Sequence, residues 1–69
     1  MFEATVLLIR TGRVVGSRSF GDPRTAAEHL YVLMSAHGFS EDREATVAAL
    51  AEGTPISFKG FEYRVKEEV

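Results

Sequence analysis

The chain has no cysteine and no tryptophan, only two prolines, and no long apolar run. Without cysteine, neither a disulfide nor a thiolate metal ligand can hold the fold together, and the composition suits a reducing compartment. No stretch approaches the roughly 20 apolar residues that cross a bilayer. The first residues lack the basic segment, apolar run and small-residue site of a secretory signal. The expectation is therefore a cytoplasmic protein without a membrane partner. Internal repeats, low-complexity runs and linkers are also missing. An apolar fraction of 45% with 26% charged residues argues against disorder.

What is present is short. Sixty-nine residues suit a single domain spanning 1–69. Surface scaling gives about 4,300 Å² exposed when folded against roughly 11,000 Å² unfolded, so roughly 60% is buried. That is marginal, and regular elements or self-association must supply what disulfides cannot.

The net charge of −2 conceals an asymmetry. Residues 1–24 carry Arg10, Arg13, Arg18 and Arg24 against Glu3 and Asp22, whereas residues 25–69 carry four bases against eight acids. Such a basic end and acidic end can orient a partner.

Four element groups follow one another. The first is a hairpin from Phe2 to Phe20, turning at Arg10-Thr11-Gly12-Arg13. Thr11 resists the positive φ of a two-residue turn, so a three-residue loop with Gly12 left-handed is expected. That loop pairs Ile9 with Arg13, Leu8 with Val14 and Val6 with Gly16. One face then collects Phe2, Ala4, Val6, Leu8, Val14 and Phe20 as core; the other collects Glu3, Thr5, Leu7, Ile9, Val15, Ser17 and Ser19. The second group is a helix with Asp22 as N-cap, Pro23 at its first position and Gly38 as terminator. Ala26, Ala27, Leu30, Leu33, Met34 and His37 mark its apolar face. A second helix follows, capped by Ser40, with Glu41, Asp42 and Glu44 in its first turn, Val47, Leu50 and Ala51 as its stripe and Gly53 at its end. Phe39 plugs the short junction between the helices. The last group is a hairpin from Ile56 to about Lys66, turning at Lys59-Gly60, with Phe58 against Phe61 and Ile56 against Tyr63. These groups predict an α+β domain of order ββααββ: an antiparallel four-stranded sheet, the first strand central, with two helices on one face.

Catalytic chemistry finds little support. His29 and His37 are eight residues apart on one helix, about 12 Å in rise, and cannot share a metal. The acidic cluster at 41–44 has a structural cause in helix capping. The serines lack a neighbouring base at motif spacing, and no phosphate-cradling glycine loop is present. A chain this size has little volume for a substrate pocket. Neither an enzymatic activity, a cofactor, a metal nor a small-molecule substrate is expected.

The apolar excess of the first hairpin points elsewhere. Leu7, Ile9 and Val15 would each gain on the order of 1.5–3 kcal/mol if fully buried rather than exposed. Beside them, Arg10 and Arg13 project from the tip. The expectation is a non-enzymatic interaction module that occludes or bridges a protein partner through Leu7, Ile9, Val15, Arg10 and Arg13, or pairs with a second copy as a homodimer. In length, acidity and α+β build it resembles phage- or plasmid-encoded inhibitors such as anti-CRISPR proteins. The alternative is a nucleic-acid-binding regulator using Arg10, Arg13, Arg18 and Arg24.

Overall fold

Alternating apolar residues in Phe2–Leu8 (β1) and Phe61–Glu67 (β4) place one face of each strand against a core. These two strands form the centre of the sheet in a computed structural model that describes residues 1–68. Arg13–Phe20 (β2) and Ile56–Phe58 (β3) flank them in the antiparallel order β2-β1-β4-β3. Helices Pro23–Ala36 (α1) and Arg43–Ala51 (α2) complete the ββααββ order. The expected α+β architecture, with the first strand central, is thus the one observed. The accessible surface is 4,327 Å², close to what chain length alone requires.

α1 lies against β1, β4 and β2, while α2 packs on α1 and β4. Ala26, Ala27, Leu30 and Met34 of α1 and Val47 and Leu50 of α2 meet Ala4, Tyr63 and Val65 of the sheet in the buried core. Burying one apolar stripe per helix against one sheet face is the two-layer solution expected of amphipathic elements.

Local chemistry explains the helix ends. The Asp22 carboxylate accepts from the Arg24 and Thr25 amides at 3.0 and 3.4 Å. At the other end of α1, Gly38 takes φ +100°, its N–H donates to the Ser35 carbonyl, and the Phe39 N–H donates to that of Met34. This paired closure satisfies two terminal carbonyls. α2 closes the same way through Gly53 and Thr54. Its start differs from expectation: Asp42, not Ser40, is the N-cap, accepting from the Ala45 amide at 3.0 Å. The Tyr31 hydroxyl donates to the Glu41 carbonyl at 3.1 Å, tying that residue's backbone to α1 ahead of the helix. Only Glu44 of the acidic cluster stands in the first turn.

The second hairpin has the expected register, Phe58 opposite Phe61 and Ile56 opposite Tyr63, with Lys59 and Gly60 both at positive φ. Phe39 fills the helix junction edge-on to both Tyr31 and Phe58, with ring centroids 6.0 and 5.1 Å apart.

The first hairpin departs from its expected register near the tip. From Phe2↔Phe20 to Val6↔Gly16 the pairs are those expected, but Leu7 then pairs with Val14 and Leu8 with Arg13. Val15 is the extra residue of a β-bulge. The loop is Ile9–Gly12, closed by the Gly12 N–H on the Leu8 carbonyl at 2.9 Å. Ile9 leaves β2 because its N–H donates to the Gly60 carbonyl at 3.0 Å, extending the β1–β4 ladder instead. Val14 therefore faces away from the helices beside Leu7, and Val15 faces toward them: the reverse of the expected assignment.

Candidate functional site

The bulge shapes both faces of the β2 edge. Cross-strand partners share a face, so Arg13, opposite Leu8, and Arg18, opposite Ala4, both lie on the helix-covered face with Gly16. Their separation of five residues would put them on opposite faces of a regular strand; the bulge restores one phase.

On that face, α1 stops short of covering the sheet. Val15 and Gly16 of β2, Val6 and Leu8 of β1, Phe61 and Tyr63 of β4, and Leu33 of α1 line an open apolar cleft of about 470 Å³, with His37 at its end. His29 and Leu33, four residues apart, fall on one stripe of α1, and His37 is the C-cap that follows. The Phe20 and His29 rings meet at 5.2 Å, and the Arg18 guanidinium lies 5.4 Å over Phe20. Burial, and secondarily the Arg18 charge, holds His29 below its ordinary value. Beyond the other end of the stripe, Lys59 Nζ donates to the His37 carbonyl at 2.8 Å. The cleft thus lies between two points where the sheet touches the helix.

The lining is chemically plain. His37 and Tyr63 are its titratable groups, and burial pushes the Tyr63 hydroxyl up. Among the described residues that line it there is no carboxylate, lysine or serine. Such a surface can bury an apolar group and exclude water from it. Among the described residues, no cluster of three or more His, Cys, Asp or Glu could hold a metal ion, and no helix is long and apolar enough to cross a membrane.

The opposite, open face is mostly polar. Glu3, Thr5, Glu62, Arg64 and Lys66 surround Leu7 and Val14 in a shallow hollow of about 220 Å³. Ser17 donates to Glu3 at 2.7 Å and Ser19 to Glu68 at 2.9 Å, while Arg64 pairs with Glu62 at 3.4 Å.

The structure therefore separates the residues grouped from sequence. Leu7 lies half-buried on the open face, Ile9 is exposed at the start of the loop, and Val15 is 52% exposed at the wall of the cleft. Arg10 and Arg13 stay exposed at the tip. Arg24 is elsewhere: its guanidinium binds Glu44 at 2.6 Å and Glu28 at 3.5 Å, joining α1 to α2. The four arginines form no continuous strip. Leu33, His37 and Phe61 were missed as site residues because α1 spacing and strand alternation mark them equally well as core. No family model, curated protein or solved structure matches this chain.

Proposed function

We propose that the protein is a non-enzymatic interaction module that docks a protein partner along β2 and into the adjoining cleft, thereby occluding or bridging that partner. The observation that carries the reading is Val15, half exposed on an edge strand at the wall of an apolar cleft. An edge strand offers unpaired backbone groups, and an adjoining pocket adds side-chain selectivity. A cleft of this size lies within the range of ligand sites, and its lining suits a side chain better than a reacting group. Among the arginines, Arg24 is paired with two carboxylates and stands apart from β2, so the four do not line one nucleic-acid track. Single-strand binders need stacking aromatics beside a basic groove, whereas Phe20, Phe39 and Phe58 pack against the core, and of the cleft's two aromatics Tyr63 is buried and Phe61 half-buried.

The test is capture of partners from the source cell by wild-type protein, Val15→Glu and Ser57→Glu. Ser57 is exposed on the other edge strand, β3, so its variant controls for added charge. A protein retained by wild type and Ser57→Glu but lost from Val15→Glu supports the reading. Retention by all three baits, or recovery of nucleic acid alone, overturns it. Circular dichroism of Val15→Glu checks that the fold persists.

A further inference from the structure

We infer that the cleft receives an extended acidic segment of the partner, in which one bulky apolar residue is flanked two positions away on each side by a carboxylate. The inference rests on the docking role proposed above and names the chemistry of what docks.

The register of β2 supplies the pattern. An extended segment added to a sheet edge sends every second side chain to the same face. On the helix-covered face, β2 presents Arg13, then Val15 and Gly16, then Arg18. An apolar side chain opposite Val15 and Gly16 enters the cleft. The side chains two residues before and after it then come opposite Arg13 and Arg18. Both cations stand on this face because Val15 is bulged; a regular strand would have sent one of them to the open face.

Charge selects the same occupant. Glu67, opposite Phe2, shares this face beyond Arg18, at the far end of the strand from the cleft, and Glu41 and Glu52 stand at the two ends of α2; the carboxylates with defined partners are committed elsewhere. Glu3, Glu62 and Glu68 bind groups on the sheet, Glu28 and Glu44 meet Arg24 between the helices, and Asp22 and Asp42 cap α1 and α2. Lys59 adds a further positive charge beside His37. A basic rim around an apolar floor favours an acidic, apolar-centred segment. The same rim disfavours a second copy, because pairing β2 with β2 would gather two Arg13 and two Arg18 along one seam.

The test uses three nine-residue peptides at low salt, followed by amide chemical shifts of the full chain. The first is Ser-Thr-Asp-Thr-Leu-Thr-Asp-Thr-Ser. The second replaces both aspartates with lysine, and the third replaces leucine with serine. The inference expects only the first to move the amides of Val14–Arg18 and Leu33. Its affinity should fall on the order of tenfold in the double variant Arg13→Ala/Arg18→Ala, the loss expected for two exposed ion pairs. Equal binding of the lysine peptide overturns the acidic chemistry and leaves the docking role intact. Equal binding of the serine peptide overturns the apolar anchor. Shifts that change on dilution without peptide overturn the inference in favour of a second copy. A ten-nucleotide single strand that moves these amides more strongly than the first peptide overturns it in favour of nucleic acid. No shift with any peptide at millimolar concentration also overturns it; the Val15→Glu capture then decides the docking role separately.

Discussion

Lys59 reaches from the β3–β4 turn to the end of α1, where its Nζ donates to the His37 carbonyl at 2.8 Å. Its backbone sits at φ +51°, a region a long side chain adopts only at some cost. The bond offsets that cost. It supplies a charged donor where the helix dipole is negative, and it fixes the turn against the helix that borders the cleft.

Replacing Lys59 should separate the two effects. Lys59→Met loses the donor together with the ammonium that lies 5.4 Å over the Phe58 ring, and should cost about 1 kcal/mol or more, at least about 4–8 °C in Tm. Lys59→Asn loses the same donor yet suits left-handed backbone, so it should fall less. Thermal melts of the three proteins check this; an unchanged Met variant would show that the bond contributes nothing.

Deleting Val15 is the sharpest test of the bulge. Val14 would then precede Gly16 directly, and the pairs Leu7↔Val14 and Val6↔Gly16 would join as a regular ladder. Stability should change by less than about 1 kcal/mol, because Val15 has no cross-strand partner to lose. The cleft would lose one wall, and partner capture should fail. Cross-strand nuclear Overhauser effects report the register directly. A collapse of the sheet would show that the bulge is needed for folding rather than for the site.

Leu30 is fully buried among the residues joining both helices to the sheet. Leu30→Ala should cost about 2–5 kcal/mol. A chain of this length has roughly 3–10 kcal/mol in all, so the variant should be partly unfolded at 37 °C. Urea denaturation measures the loss. A cost under 1 kcal/mol would mean that the core collapses onto the vacancy.

Most of the fold was legible because its signals are local. Asp22-Pro23 starts α1 and Gly38 stops it through chemistry contained in a few neighbouring residues. Lys59-Gly60 between alternating aromatics sets the β3–β4 register in the same way. The β1–β2 tip was not legible. Val14 and Val15 are adjacent and alike, so either can face the core, and the choice is made by Gly60, some fifty residues away, which accepts from Ile9. The start of α2 failed for a related reason. Ser40 and Asp42 are both competent caps, and a tertiary bond from Tyr31 to Glu41 favours the later one. The site inherits these misses: a single bulged residue moves Val15 from the open face to the cleft and aligns Arg13 with Arg18.

His29 offers a last check, because it reports on Arg18 without any partner present. Burial is the larger cause that holds it below its ordinary value of 6.5, and the Arg18 charge is the smaller. The folded state therefore favours the neutral ring. The stability this contributes is complete above pH 6.5 and is lost as pH falls through the lower folded value. In a proton-resonance titration, Arg18→Ala should move the His29 midpoint only part of the way back toward 6.5. A full return would make charge the dominant cause. No movement would place Arg18 away from Phe20 and His29, and so away from the rim where an acidic segment would meet it.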